Sequence, residues 1–232
     1  MALPIKGLQK LSLIDYPGKL CATVFVGECN FRCVFCYNID LVLRPEELAT
    51  ISEEEALVFL SDRKNFLDGI CVSGGEPTIH MELPLFLSKV KALGYLVKVD
   101  TNGSRPDMLK RLIEDRLVDY IAMDVKAPLK DYERIVRTPV ETGALRKSVH
   151  IIRNSNIDYE LRTTVVPGLV GEKELIEIAR EHKSSKRFVI QQFRPGRTLD
   201  ECFKDTIPYP TTMLEKFCKR IKSFFKECEL RY

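Results

Sequence analysis

Strand-like and helix-like segments alternate along this 232-residue chain, and that order constrains the fold more than any single motif. Apolar runs rich in β-branched residues occur at 21–26, 69–72, 95–99, 119–123, 159–166 and 187–193, each bounded by turn or capping residues. Helical patterns lie between them. Ser52 and Glu55 form a capping box opening a helix over 53–60, Gly94 ends a helix begun near 82, and Pro106 suits the first turn before 108–114. Further helices are expected near 142–154, 173–182 and 212–225. Six such units imply parallel strands joined by right-handed crossovers, an α/β fold forming a partial (β/α)6 barrel rather than a closed eight-stranded one. Residues 1–232 read as a single domain, with a short N-terminal lead over 1–19 and a C-terminal helix at about 211–227.

Four polar clusters fall at the ends of successive strands. Cys29, Cys33 and Cys36 follow the first, Gly74-Gly75-Glu76-Pro77 the second, Asp100-Thr101-Asn102-Gly103 the third, and Asp124-Val125-Lys126 closes the fourth. In parallel α/β folds ligands sit at the carboxyl ends of strands. One glycine cluster at a strand end is often only a turn. Four polar clusters on one rim point to a site.

The cysteines are spaced C-x3-C-x2-C. Three thiolates so close together can hold three irons of a cubane iron-sulfur cluster, leaving one iron open to an outside chelate. A structural zinc site needs four N or S ligands, and the nearest histidine, His80, lies beyond a predicted helix and strand. A ferredoxin-like carrier needs four thiolates per cluster. Cys21, Cys71, Cys202, Cys218 and Cys228 are scattered, too unevenly for a disulfide framework, and read as free thiols. His80, His150 and His182 have no mutual spacing that makes a site and read as satisfied structural residues.

Composition excludes other classes. The 36 basic and 33 acidic residues nearly cancel, so no field suited to nucleic acid is expected. Apolar stretches fall far short of the roughly 20 residues that span a bilayer, and no signal-peptide order opens the chain, which reads as cytoplasmic with no membrane partner. Lys216, Lys219, Arg220, Lys222 and Lys226 form either a solvated helix face or a docking surface.

The cysteine spacing together with Gly-Gly-Glu-Pro resembles the radical S-adenosylmethionine enzymes. From Ser12-Leu13-Ile14-Asp15-Tyr16-Pro17-Gly18 to Gln191-Gln192-Phe193 the chain is similar to glycyl-radical-enzyme activases, most of all those of anaerobic ribonucleoside-triphosphate reductases, with pyruvate formate-lyase activases close. The resemblance implies a [4Fe-4S] cluster on Cys29, Cys33 and Cys36, and cleavage of S-adenosylmethionine to methionine and a 5′-deoxyadenosyl radical. It implies that Gly74, Gly75 and Glu76 receive the methionyl amino group, Lys126 faces the carboxylate, Phe35 and Tyr37 line adenine, and Gln192 and Arg194 close over ribose. Asn102 joins the cofactor-binding set, and Arg162 stands near the sulfonium if its strand turns it inward rather than to solvent. Asp100, Thr101 and Asp124 match a small monovalent-cation site, although Asp100 also suits a turn or helix cap.

The implied partners are a glycyl-radical enzyme and a low-potential electron donor such as flavodoxin or ferredoxin. Radical chemistry on a small molecule, as in carboxy-deazaguanine synthases, and electron transfer without cofactor cleavage stand as alternatives. The chain departs from its relatives at Glu28, where they usually carry glycine, and at Tyr37-Asn38-Ile39, where His-Asn-Pro is common.

Overall fold

The computed structural model describes residues 2–232 and is built on one eight-stranded sheet whose strands lie side by side in sequence order. The parallel core comprises β2 (Cys21–Val26), β3 (Gly69–Gly74), β4 (Leu96–Thr101), β5 (Tyr120–Asp124), β6 (Asp158–Val165) and β7 (Arg187–Gln192). These are the six expected strands. Helices punctuate them as α1 (Ile39–Leu43), α2 (Glu53–Asp62), α3 (Leu83–Ala92), α4 (Pro106–Glu114), α5 (Tyr132–Val136), α6 (Thr142–Arg153), α7 (Glu172–Glu181) and α8 (Thr211–Ile221).

Local chemistry explains the boundaries. The Ser52 hydroxyl accepts from the Glu55 amide while the Glu55 carboxylate accepts from the Ser52 amide, so α2 opens with two of its orphan donors satisfied. Gly94 follows α3 at φ +88°, a left-handed conformation that any side chain would strain. On one face of the sheet, residues such as Val72, Val97, Val99, Ile121 and Leu161 pack fully buried with Leu60, Phe86, Val90, Leu109 and Ile152 from the helices. Each such side chain contributes about 1.5–3 kcal/mol by leaving water.

Two strands escaped the sequence reading. The lead over 1–19 contains β1 (Ile5–Ser12), which pairs antiparallel with β2. The C-terminal segment is not helical to 227: α8 stops at Ile221, one 3-10 turn follows, and β8 (Glu227–Arg231) joins the sheet parallel to β7. Phe225 makes the change of direction, since its ring stacks on Phe188 of β7 with centroids 4.5 Å apart, drawing the chain over the sheet. The basic residues of α8 and its extension are exposed, with Arg220 reaching Glu172. Cys218 and Cys228, expected as free thiols, are free here, with their sulfurs 3.0 Å apart.

Candidate active site

Strands β2 to β7 deliver polar residues to one cavity of about 460 Å³, a volume typical of small-molecule sites, which run from about 300 to 1,000 Å³. Its wall includes Cys29, Cys33, Cys36, Phe35, Tyr37, Gly74, Gly75, Glu76, Asp100, Thr101, Asn102, Asp124, Lys126, Arg162, Gln192 and Arg194. All the cluster-, cofactor- and cation-site residues expected from the sequence therefore border the same space. Phe35 is buried, whereas Tyr37 is 63% exposed and stands at the mouth.

The cysteine loop is held by backbone contacts. The Glu76 amide donates to the Glu28 carbonyl at 2.8 Å and the Gly75 amide to the Val26 carbonyl at 2.9 Å. A Cβ on Gly75 would lie 1.7 Å from the Glu28 oxygen, and one on Gly74, at φ +114°, 2.5 Å from the Val26 oxygen. Gly74 is thus required by the end of β2 beside it and Gly75 by the start of the cysteine loop, reasons distinct from close approach of a ligand. Beyond the glycines, Arg32 and Val34 donate backbone bonds to Val136 and Ile135, and Leu199 donates to Cys36. Glu28 adopts φ +66°, a conformation costing about 1–2 kcal/mol for a residue with a Cβ. Glycine would adopt this conformation without that cost.

Glu76 departs from its expected role. Its carboxylate accepts from the amide and hydroxyl of Thr78, the Thr101 hydroxyl (2.7 Å) and the Asn102 amide (2.6 Å). With four donors from the protein and almost no exposure, it clasps the end of β3 to the end of β4 and is not free to take an amino group. Burial pushes its pKa up even so.

Burial also pushes the Cys29 thiol up to about 12, with Glu76 adding to it, and the Cys33 thiol up to about 11. Cys36 rises for the same reason. Iron binds thiolates, so metal binding here releases protons. Among the described residues no three His, Cys, Asp or Glu side chains are gathered tightly around one metal-sized point. The three thiols instead share one wall of the cavity with no fourth cysteine beside them, a donor set that fits three corners of a cubane.

The opposite wall is ionic. Asp124 and Arg162 are register partners on β5 and β6, and Arg162 turns into the barrel, where Nε donates to Asp124 at 2.8 Å and Nη1 to Asp100 at 3.2 Å. Lys126 Nζ lies 3.0 Å from Asp124, so the lysine expected to meet a carboxylate already holds one. Beneath them Lys98 pairs with Asp100, and fully buried Glu160 accepts two bonds from Arg231 of β8, at 2.9 and 3.1 Å. Burial pushes the Asp100 and Asp124 carboxyls up, but Arg162, followed by Lys98 for Asp100 and Lys126 for Asp124, outweighs it and leaves both below the usual carboxylate range.

The sequence reading missed Lys98, Glu160 and Arg231. Charged residues two apart in otherwise apolar strands, Lys98 with Asp100 and Glu160 with Arg162, were the available signal that this face is polar. Among the histidines, His80 bonds to the Gly27 carbonyl at 2.9 Å and His150 to Asn154. His182 corrects the expectation of satisfied rings: its Nε2 is buried without a partner, and burial lowers its pKa to about 4.

A sequence pattern decides the family: that of the Radical SAM superfamily matches residues 23–182, from β2 to the end of α7. The chain belongs to the Radical SAM superfamily. Membership makes a [4Fe-4S] cluster and S-adenosylmethionine the cofactors of this radical SAM enzyme. A Methanocaldococcus jannaschii protein with the provisional name glycyl-radical enzyme activating enzyme is 34% identical over 211 residues, covering 89% of this chain and 86% of that protein. The pyruvate formate-lyase-activating enzyme of Streptococcus mutans is 27% identical over 226 residues, covering 89% and 82%. Among solved structures, Streptococcus suis SuiB bound to S-adenosylmethionine superposes with a TM-score of 0.68 at 14% identity, over 87% of this chain and 48% of SuiB. The radical SAM chain thus spans about half of SuiB, and the likeness is one of fold.

Proposed function

We propose that this chain activates a glycyl-radical enzyme, with anaerobic ribonucleoside-triphosphate reductase as its protein substrate. The observation carrying the reading is 34% identity, over most of both chains, to a relative that bears the activating-enzyme name. The reductase branch in particular rests on the Ser12-Leu13-Ile14-Asp15-Tyr16-Pro17-Gly18 opening, whose Ile14 and Asp15 border the cavity. When bound, the cluster would supply the single electron, received from a flavodoxin or ferredoxin, for reductive cleavage of S-adenosylmethionine to methionine and a 5′-deoxyadenosyl radical, whose hydrogen-atom donor would be a glycine Cα of the partner.

The residues divide the work by chemistry. Cys29, Cys33 and Cys36 would hold the metal, and the Gly74-Gly75 backbone would carry the amino-acid end of the cofactor. Lys126, paired with Asp124, would face the cofactor carboxylate, while Arg162 is held between Asp100 and Asp124 on the ionic wall of the cavity. Gln192 Oε1 is buried without a partner while its amide nitrogen donates to the Tyr209 carbonyl at 2.7 Å, leaving an acceptor suited to a ribose hydroxyl. A partner glycine loop can enter because it presents no Cβ. No helix among the described residues is long and apolar enough to cross a membrane.

Anaerobic incubation of the reduced, cluster-loaded protein and S-adenosylmethionine with an anaerobic ribonucleotide reductase is expected to give the spin-resonance doublet of a glycyl radical. Cofactor cleavage with no radical on the reductase but one on pyruvate formate-lyase would move the assignment to that neighbouring branch. Radical formation on neither protein would overturn the activase reading.

A further inference from the structure

The resemblance calls for a small monovalent cation among Asp100, Thr101 and Asp124, and the side chains here do not form such a site. The Thr101 hydroxyl is turned toward Glu76, to which it donates at 2.7 Å, and it accepts the Gly103 amide at 3.1 Å. Asp124 is taken up by Arg162 and Lys126. Asp100 accepts from the Ser73 hydroxyl at 3.1 Å and from Arg162 at 3.2 Å, and its remaining partner is the ammonium of Lys98.

Lys98 is an unusual residue for its place. It lies on β4 two positions before Asp100, with its side chain 1% exposed, and it rises from the barrel floor past Cys71, whose sulfur is 3.6 Å from Nζ. Lysine is almost never buried without a partner. A surface-facing lysine would be the ordinary choice in a strand, and a buried methionine or leucine would fill most of the same volume, short of the ammonium position, without the desolvation penalty. What Lys98 supplies that those cannot is one positive charge, tetrahedral N–H donors and a position fixed by the backbone. An ammonium and an alkali ion present the same charge to a carboxylate.

We propose that the Lys98 ammonium is a tethered replacement for the monovalent cation, so that this radical SAM enzyme binds S-adenosylmethionine without a requirement for sodium or potassium. Asp100 is kept anionic and oriented toward Arg162 by a charge that the chain carries itself. Lys98 touches no cofactor atom in this scheme; it is a positioning residue acting through Asp100 and Arg162. The inference rests on cofactor binding in the cavity and not on which protein receives the radical.

The test is calorimetric titration of S-adenosylmethionine into anaerobic, cluster-loaded protein at fixed ionic strength in tetramethylammonium, sodium or potassium chloride. The wild-type dissociation constant is expected to agree across the three salts within about twofold. Lys98→Met is expected to bind about tenfold more weakly in tetramethylammonium and to recover in potassium or sodium, as the small ion enters the vacated volume beside Asp100. Thermal melting of the cluster-free variant gives a second readout, with stabilisation by potassium over tetramethylammonium that the wild type lacks. Wild-type affinity that rises tenfold or more with potassium overturns the proposal even if the variant fails to fold. So does a folded Lys98→Met protein that binds the cofactor equally in all three salts. Absence of cofactor binding in every salt would instead count against the cavity as the S-adenosylmethionine site, and a melting temperature of Lys98→Met independent of the cation would still overturn the proposal.

Discussion

The two walls of the cavity are built by opposite means. On the β2–β3 side, the end of β2 lies so close to Gly74, and the start of the cysteine loop so close to Gly75, that no side chain fits, and the buried carboxylate of Glu76 is saturated by neutral donors. On the β4–β6 side, Asp100, Asp124 and Glu160 are each held by cations from Lys98, Lys126, Arg162 and Arg231. One wall depends on steric exclusion and the other on charge balance. A perturbation that harms one should spare the other.

Gly75→Ala should have the largest effect, because a methyl group 1.7 Å from the Glu28 carbonyl cannot be accommodated without moving the cysteine loop off β3. We expect a loss of about 4 kcal/mol or more in urea unfolding, together with iron content well below three quarters of the wild-type value. A variant with native stability and full iron would show that the loop yields easily and would remove the contrast between the walls.

Arg231→Met comes next. It leaves Glu160 without its bidentate partner, with only Tyr120 and a 4.0 Å approach of Arg162 remaining. The arginine is part-exposed, so the expected cost is about 2–3 kcal/mol rather than the full value for a deeply buried pair. Replacing Glu160 by Gln in the same variant should recover part of that loss, and a double variant weaker than either single one would contradict an ionic origin.

The pH dependence of the two walls should differ in sign. The Asp124 carboxyl is held below its ordinary range, so its contribution is complete above the unfolded value, about 3.9, and is lost as pH falls toward the folded one. Glu76 is shifted upward, so its contribution is complete below about 4.3 and is lost as pH rises through its folded value. The stability advantage of wild type over Asp124→Asn should therefore shrink below about pH 4, whereas the advantage over Glu76→Gln should shrink as pH rises above about 4.3. Parallel profiles for the two variants would sink the distinction.

Glu28→Gly should have the smallest effect. Relief of the left-handed backbone at φ +66° is partly offset by greater freedom in the unfolded chain, leaving a gain of about 0.5–1 kcal/mol in thermal unfolding. A loss of stability would mean that the exposed Glu28 side chain makes a contribution its surroundings do not reveal.

The steric wall was more legible in the sequence than the ionic one. Cysteine spacing and paired glycines are local, and strand alternation placed them at the carboxyl ends of β2 and β3. The ionic wall is assembled from residues as far apart as Glu160 and Arg231, and Arg231 reaches it only through β8. The segment Glu227–Arg231 alternates weakly between charged and apolar residues at a half-exposed edge, which gives little strand signal. Lys98 reads locally as the solvent-facing position of a strand, and only closure of the sheet into a partial barrel turns that position inward. β1 was hidden for a related reason, since its middle residues Gln9, Lys10 and Leu11 are exposed and its apolar pattern is broken by Gly7.

The cysteine loop is stitched to the body by hydrogen bonds from Arg32, Val34, Gly75, Glu76 and Leu199. Folding alone therefore meets most of the ordering cost of the segment that grips the inorganic core. A cluster that was lost would therefore be reassembled in a socket whose backbone course is already laid down.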